Sequence, residues 1–199
     1  MVHRSILRRE AERAQLNIAE HTQDKLQLYC EMVLFWNRRV NLTGLEGEEF
    51  VRRLVIDPIW IAEYLRMEGV LTDVGSGNGS PAIPMTLARN WTLTQMVESR
   101  TKRAVFLRQV VAELGLGAVV VHKGRFEDIV SELRPTDWIT LQAVAPEKDI
   151  LKTARLVMLP TTRIVWITSV AAGSAIVAES RVQVPFSDSQ AVILSLDPI

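Results

Sequence analysis

The sequence predicts an α/β protein in which a mostly parallel, doubly wound sheet follows an N-terminal group of helices. Apolar residues recur at helical spacing through the first 65 residues, and short apolar runs then alternate with helical segments. Such alternation is typical of parallel sheets with helices on both faces. A glycine-rich turn directly follows the first apolar run. We therefore expect a helical cap over residues 1–65 and an α/β core over residues 66–199.

Composition is that of an ordinary globular protein. The chain has 199 residues, of which 48% are hydrophobic, enough for one domain with a substantial core. Its 23 basic residues balance its 23 acidic ones, so no overall field draws it to nucleic acid, and only local basic clusters can argue for such a partner. No apolar run approaches the roughly 20 residues that span a bilayer, so no membrane segment is expected.

Cysteine and histidine usage adds two expectations. Cys30 is the single cysteine, so no internal disulfide can form, and a cytoplasmic location is expected. The histidines His3, His21 and His122 are scattered, without the spacing of metal ligands, so no metal site is expected. The sequence leaves the oligomeric state open, with a monomer favoured.

The N-terminal helices are predicted from apolar periodicity and from residues that begin or end helices. The second helix has four apolar residues at helical spacing, and Thr22 is placed to cap its first turn. A later helix would begin at Asp57, with Pro58 at its first position and Tyr64 turned inward. The helices are expected over residues 5–20, 23–38, 46–53 and 57–65.

The core segments are predicted in the same way. The helix after the second strand would turn Val105 and Phe106 toward the sheet. Two late apolar runs, residues 181–185 and 191–196, flank a polar turn and are expected to pair as a hairpin at the sheet edge. Strands are expected over residues 70–74, 93–98, 118–122, 138–141 and 163–167, with helices over residues 84–90, 101–114, 126–133 and 147–158.

The glycine turn reads Asp73-Val74-Gly75-Ser76-Gly77-Asn78-Gly79. It is not the dinucleotide fingerprint, because its third glycine comes one residue early and an aspartate ends the strand. An anionic side chain is unfavourable where a pyrophosphate would meet a helix N-terminus. An acidic first position suits a ligand with a positive group, and S-adenosylmethionine carries an ammonium and a sulfonium without a phosphate. The turn therefore favours S-adenosylmethionine, with Asp73 holding the ammonium directly or through water.

Two later segments complete the predicted cofactor site. Glu98 ends the second strand, where a carboxylate can accept hydrogen bonds from both ribose hydroxyls. Arg125-Phe126-Glu127 follows the third strand, where methyltransferases of this architecture hold adenine. The residues expected to bind the cofactor are Asp73, Gly75, Ser76, Gly77, Gly79, Glu98, Ser99, Arg125, Phe126, Glu127 and Gln142.

Residues 73–84 resemble the corresponding loop of the RsmG family, also called GidB. Four other segments between residues 25 and 170 resemble that family too. These are Trp36-Asn37 with Asn41-Leu42-Thr43, Glu98-Ser99 with Lys102-Arg103 and Phe106-Leu107, Gly124-Arg125-Phe126-Glu127, and Asp137 with Ala143-Val144-Ala145. The resemblance implies a Rossmann-like class I methyltransferase that uses S-adenosylmethionine to methylate N7 of a guanine in 16S ribosomal RNA. Its implied partner is that RNA or the small ribosomal subunit.

The chain departs from the family pattern mainly at polar positions on the substrate side. The replacements are Leu54 for a histidine, Pro58 for a serine, Ser80 for an aromatic residue, Ala82 for a glycine, Gln142 for an arginine and Thr168-Ser169 for a Lys-Gly pair. The cofactor positions are kept. The sequence therefore supports the cofactor more strongly than the RNA substrate.

The expected chemistry needs no catalytic base. Guanine N7 exposes a lone pair in the major groove and attacks a methyl sulfonium without first losing a proton. No catalytic residue is therefore predicted, and Gln142 remains able to hydrogen-bond a base edge. RNA contact is expected from Arg100, Lys102 and Arg103, which flank the predicted cofactor segment.

Two other functions remain open at this point. A divergent relative could bind S-adenosylmethionine yet methylate something else, or only bind it. A dinucleotide-dependent oxidoreductase would also place an acidic residue at the end of the second strand, although the early third glycine argues against it. Titration with S-adenosylhomocysteine and with NAD separates these cofactor classes.

Overall fold

The computed structural model describes residues 4–173 and 177–196, and within them one mixed sheet runs through the protein. Strands β1 to β5 are parallel to one another, and β7 pairs antiparallel with both β5 and β6. The order across the sheet is β3-β2-β1-β4-β5-β7-β6. The strands are β1 (Gly69–Val74), β2 (Trp91–Glu98), β3 (Val119–Lys123), β4 (Thr136–Gln142), β5 (Met158–Ser169), β6 (Ser180–Gln183) and β7 (Ser189–Ser195). The predicted fold class and the edge hairpin are confirmed.

Helices precede the sheet and then alternate with its strands, as the sequence predicts. They are α1 (Arg4–Arg13), α2 (Glu20–Val40), α3 (Gly47–Val51), α4 (Asp57–Tyr64), α5 (Ala82–Ala88), α6 (Thr101–Glu113), α7 (Phe126–Ile129), α8 (Lys148–Ala154) and α9 (Val170–Gly173). Each predicted helix is present, but three end early. The helix expected over residues 5–20 ends at Arg13, the one over 126–133 ends at Ile129, where a 3-10 turn follows, and the one over 147–158 ends at Ala154.

A π-helical turn over Arg52–Ile56 joins α3 directly to α4, so two helices that were predicted to be separate form one continuous helical segment. The backbone N–H of Asp57 donates to the carbonyl of Arg52, five residues back. Pro58 has no N–H to donate, and the wider turn carries the helix past it. Such turns are frequent at functional sites, and this one contributes Arg53 and Leu54 to the cleft described below.

Three side-chain predictions in the helices are wrong. Thr22 lies inside α2, whose N-cap residue is Ala19 and makes no side-chain capping hydrogen bond. Gln23 in the first turn donates from its side chain to the carbonyl of Ile18 at 2.7 Å. Tyr64 is 58% exposed and stacks on Trp60, because it lies on the last turn of α4, outside the core. Val105 is 47% exposed, because the buried face of α6 is shifted by one residue. That face consists of Ala104, Phe106, Leu107 and Val110.

Two buried clusters lie on opposite faces of the sheet. One joins residues of α1 to α6 with Leu71 of β1 and Met96 of β2. The other joins α7 and α8 with Leu141 of β4 and Trp166 of β5. The N-terminal helices thus share a core with the sheet, and the domain boundary at residue 65 stays a prediction.

The order in which the chain adds strands to the sheet reverses between β1 and β4, although the two strands run parallel. From β1 the chain adds β2 and β3 on one side, and it then crosses back to place β4 on the other. Open α/β sheets bind ligands in the crevice outside the carboxyl ends of the strands at such a switch point. Asp73 and Gln142 lie at these two strand ends, so the fold positions the predicted site residues at the expected place.

Candidate functional site

A cleft of about 510 Å³ opens at the carboxyl ends of β1 and β4. Eight of the fourteen predicted site residues line it, from the glycine turn, the end of β2, the start of α6 and the end of β4. They are Gly75, Ser76, Gly77, Glu98, Ser99, Arg100, Arg103 and Gln142. Asp73 and Gly79 are buried beneath it, whereas Arg125, Phe126 and Glu127 line a neighbouring cavity. Lys102 is exposed and lines neither of the two.

The glycine turn is held to the end of β2. The backbone N–H groups of Gly75 and Ser76 both donate to the carbonyl of Val97, at 2.9 and 3.0 Å. Gly75 has a φ of +78°, and a Cβ on it would lie 2.6 Å from a methyl group of Val144. Both facts require glycine there. The tight turn leaves bare backbone facing the cleft, where a ligand can approach it.

Glu98 anchors the middle of the turn from below. Its side chain is 4% exposed, and its two carboxylate oxygens accept hydrogen bonds from the backbone N–H groups of Gly77 and Arg100, at 2.9 and 2.7 Å. One carboxylate thus joins the glycine turn to the start of α6. Each oxygen keeps a lone pair, which leaves Glu98 able to accept hydroxyl donors from a ligand in the cleft.

Asp73 is a buried carboxylate with one unsatisfied oxygen. Its Oδ1 accepts from Thr140 at 2.7 Å, but its Oδ2 has no hydrogen-bond partner although the side chain is 1% exposed. Burial raises the pKa of Asp73 to about 6, against the opposing effect of hydrogen bonds. A buried acceptor without a partner is costly, so this oxygen fits a cationic group of a ligand.

The third predicted segment lies beside the cleft rather than in it. Arg125, Phe126 and Glu127 line a cavity of about 220 Å³. Gly75 and Ser99 line both cavities, so the two are adjacent. An extended ligand can therefore occupy both, with one end over the glycine turn and a flat ring against the start of α7.

The loop between α2 and α3 forms the opposite wall of the cleft, through Leu42, Thr43 and Leu45. The carboxamide of Asn37 shapes it. Its Oδ1 accepts from the N–H groups of Leu42 and Thr43 at 2.6 and 3.0 Å, and its Nδ2 donates to the carbonyl of Thr43 at 2.8 Å. From the sequence, Asn37 stands out only as part of the segment that resembles the family, and no role was predicted for it. Its role depends on how the chain turns after α2, which no spacing in the sequence reveals.

Replacing Asn37 by alanine is expected to lower the free energy of unfolding by about 1–3 kcal/mol, because buried backbone groups of the loop lose their partners. Urea unfolding followed by circular dichroism measures this change. Asn90, an exposed amide beside β2, provides the matched control, and Asn90→Ala should change stability by less than about 0.5 kcal/mol. Equal effects of the two substitutions would contradict the role given to Asn37.

The positions at which the chain departs from its family pattern gather on one side of the cleft. Leu54, Ser80, Gln142 and Thr168 all line it, whereas Ala82 lies buried in α5. The hydroxyl of Ser80 donates to Oε1 of Gln142 at 2.9 Å, so two of the replaced positions are in direct contact. This side of the cleft lies beyond the glycine turn, toward β5 and β7, and we call it the acceptor wall.

Of the basic residues that the sequence analysis assigned to RNA, Arg103 has a defined partner in the fold. Its Nη2 donates to the carbonyl of Asn41 at 2.9 Å, which ties the start of α6 to the end of α2. Several residues that line the cleft were not predicted as site residues. One of them is Ala143, which has a φ of +58° at the end of β4. Strain of this kind clusters at ligand sites, but nothing in the sequence around Ala143 signals it.

Comparison with known proteins identifies relatives. The model of the family GidB, described as rRNA small subunit methyltransferase G, matches residues 22–187. A protein named ribosomal RNA small subunit methyltransferase G from Neisseria meningitidis serogroup C is 38% identical over 135 residues, which cover 67% of this chain and 64% of that protein. One of the same name from Wolinella succinogenes is 32% identical over 143 residues, covering 72% and 73%. The chain thus spans somewhat under two thirds of the Neisseria relative.

Solved structures with low sequence identity share the fold. The structure of a mutant of MtNAS in complex with S-adenosylmethionine has a TM-score of 0.62 at 17% identity and covers 88% of this chain and 76% of that one. An O-methyltransferase from Bacillus cereus in complex with SAH has a TM-score of 0.55 at 18% identity, covering 73% and 67%. At this identity the likeness shows the fold, and the Rossmann-like architecture predicted from the sequence is confirmed.

Proposed function

Because the chain belongs to the rRNA small subunit methyltransferase G family, we propose that it transfers the methyl group of S-adenosylmethionine to N7 of a guanine in 16S ribosomal RNA. The observation that carries the cofactor assignment is the buried Asp73 Oδ2, which has no hydrogen-bond partner in the protein. A ligand that brings an ammonium group to this point satisfies an acceptor that the fold leaves open.

The residues around the cleft fit the other parts of this cofactor. Glu98 retains lone pairs for the two ribose hydroxyls, and the bare backbone at Gly75 and Gly77 lets the ligand lie close to the turn. Phe126 and Glu127 line the adjacent cavity, where a flat ring would lie. A dinucleotide fits poorly, because its pyrophosphate would face the carboxylates of Asp73 and Glu98.

The cofactor supplies an electrophilic methyl group on a sulfonium. N7 of guanine forms the new bond to this carbon as the bond from carbon to sulfur breaks, and no proton leaves the base. The protein therefore has to align the nucleophile and exclude water rather than move a proton. Alignment alone can lower such a barrier by about 7–11 kcal/mol in favourable cases. In this role we place the acceptor wall.

A second candidate is a methyltransferase with the same cofactor and a different acceptor. It is favoured by one observation, namely that four of the replaced positions, Leu54, Ser80, Gln142 and Thr168, lie on the acceptor wall. Gln142 hydrogen-bonds a base edge but cannot pair with phosphate as an arginine does. The replacements therefore alter the contact with the acceptor and leave the cofactor half of the cleft intact.

Methyl transfer to small ribosomal subunits tests the proposal. Subunits that lack the N7 methylation should accept a tritiated methyl group from S-adenosylmethionine, and fully methylated subunits should not. Calorimetric titration should show binding of S-adenosylhomocysteine and none of NAD. Binding of S-adenosylhomocysteine without any transfer to the subunits would favour the second candidate, and binding of NAD alone would overturn both.

The remaining expectations follow from this function. A ribosomal RNA substrate is consistent with the cytoplasmic location inferred from the single cysteine, and we propose a monomer. In the described ranges 4–173 and 177–196, no helix is both long enough and apolar enough to cross a membrane.

A further inference from the structure

Phe35 is placed on the solvent side of α2, where the core does not explain a phenylalanine. Its side chain is 57% exposed, and it lies on the side of the helix opposite the buried residues Tyr29, Cys30 and Val33. Its neighbour Trp36 instead packs against Phe106 of α6, with ring centroids 5.7 Å apart. The aromatic ring of Phe35 thus presents a flat apolar surface to solvent.

A guanidinium lies over this ring. The Cζ of Arg39, one turn later in α2, is 5.7 Å from the centroid of the Phe35 ring. Arg38 and Arg39 are both exposed in the last turn of the helix. Aromatic rings and guanidinium planes are the two surfaces on which proteins stack unpaired bases. We call this exposed pair, Phe35 with Arg39, the ring platform.

Arg38 and Arg39 place two positive charges at the ring platform, and the exposed Glu31 places one negative charge a turn before Phe35. Arg100, Lys102 and Arg103 stand at the start of α6, which has no acidic residue in its first turn. Cations at this end of a 13-residue helix oppose the helix dipole and bring no stability to the helix itself. The hydrogen bond to Asn41 accounts for Arg103, and an anionic partner would account for Arg100 and Lys102, although the chain as a whole carries no net charge.

The ring platform is connected to the mouth of the cleft. Arg103 lines the cleft and donates to the carbonyl of Asn41, which ends α2 two residues after Arg39. Leu42 and Thr43, the next residues, form the wall of the cleft. A chain of phosphates that leaves the cleft along the start of α6 therefore reaches the carboxyl-terminal end of α2, the helix that carries Phe35.

From these observations we propose that the ring platform stacks an unpaired base of the RNA, close to the guanine that enters the cleft. This inference rests on the proposed function and adds a contact outside the catalytic cleft. A single-stranded RNA segment fits because it offers both features that the surface matches, namely phosphates for the basic residues and bases for the ring. A protein partner would match the apolar ring but needs an acidic surface beside it, so we treat it as an outcome of the test.

The test compares substitutions of Phe35 that separate stacking from simple apolar contact. The probe is a fluorescein-labelled, 20-nucleotide single-stranded RNA of mixed sequence, measured by anisotropy at several salt concentrations. Phe35→Ala and Phe35→Leu should each weaken binding by about fivefold or more, whereas Phe35→Trp should retain it. Because stacking releases no counterions, the salt dependence should stay unchanged in these variants. Tyr64→Ala removes an equally exposed ring at the far end of α4 and should change affinity by less than twofold.

Two further measurements distinguish the possible failures. Affinity for S-adenosylhomocysteine should be the same in all the Phe35 variants, which shows that the cleft is intact. Wild-type methyl transfer to undermethylated subunits, together with unchanged RNA binding by Phe35→Ala, would overturn the ring platform and leave the proposed function standing. Retained RNA binding by Phe35→Leu would overturn stacking, because leucine offers an apolar contact without a ring. Equal losses in Tyr64→Ala would overturn the assignment to this surface. Absence of methyl transfer by the wild type would instead count against the proposed function.

Discussion

Replacing Asp73 by asparagine is expected to weaken S-adenosylhomocysteine binding by about 30-fold or more while making the free protein more stable at neutral pH. The loss of affinity follows because a buried ammonium would lose its anionic partner, and removing one member of such a pair costs about 2–5 kcal/mol. The asparagine keeps an oxygen for the hydrogen bond from Thr140, so the β4 contact survives. Calorimetric titration at pH 7.5 measures the affinity.

The gain in stability follows from the direction of the pKa shift. Burial raises the pKa of Asp73 from 3.8 to about 6, so between these values the folded state binds more protons than the unfolded state. Stability therefore falls as pH rises from about 4 to about 6, and it remains lowered above pH 6. An asparagine does not ionise, so the variant should not show this loss. Urea unfolding at pH 4.5 and pH 7.5 compares the two proteins.

Asp128, an exposed carboxylate in α7, supplies the control. Asp128→Asn should change neither ligand affinity nor the pH dependence of stability. Wild-type affinity for S-adenosylhomocysteine should fall below about pH 6 as Asp73 takes up its proton. Unchanged affinity in Asp73→Asn would show that this carboxylate does not contact the ligand and would remove the main support for the cofactor assignment.

The second large effect is expected from Glu98→Ala. The carboxylate serves the fold through the N–H groups of Gly77 and Arg100 and is proposed to serve the ligand through its ribose hydroxyls. Each hydrogen bond to a charged group contributes about 1.5–3 kcal/mol. We therefore expect S-adenosylhomocysteine affinity to fall by about 100-fold or more, together with a loss of about 2 kcal/mol in the free energy of unfolding.

Glu132→Ala is the matched control for Glu98→Ala, because it removes a glutamate whose side chain is 65% exposed near β3. Calorimetric titration and urea unfolding on both variants separate the effect on the ligand from the effect on the fold. A stability loss in Glu98→Ala with unchanged affinity would show that the carboxylate only shapes the glycine turn.

The geometry around the glycine turn was predictable because its signals are local. A strand, a tight turn and a helix leave a readable pattern, and Gly75 and Glu98 lie at strand ends that the apolar runs mark. The geometry of the opposite wall was not. The hydrogen bonds of Asn37 depend on Asn41, whose φ of +51° redirects the chain after α2. The π-turn before Pro58 is likewise a tertiary adjustment, whereas proline alone suggested a helix start.

The departures on the acceptor wall acquire a different meaning in three dimensions. In the sequence, Ser80 and Gln142 are two separate departures from the family pattern, 62 residues apart. In the fold they donate and accept one hydrogen bond of 2.9 Å. A change at either position alone would leave a partly buried polar group without its partner, so the pair behaves as one joint replacement. Restoring an arginine at position 142 alone is for the same reason a poor way to recover the family pattern.

The sheet order sets how easily each side of the cleft opens. The strands β1 and β4 have a neighbour on each side and helices over both faces, so exposing the amides beneath the glycine turn requires opening the centre of the sheet. Such amides exchange with solvent through near-global unfolding. The opposite wall is a loop outside the sheet, held by the carboxamide of Asn37 and by side-chain contacts from Arg103 and Asn78, and it can open locally at lower cost. The glycine turn therefore forms a rigid floor for the proposed cofactor. The loop between α2 and α3 forms a side of the cleft that can open locally to admit and release a larger substrate.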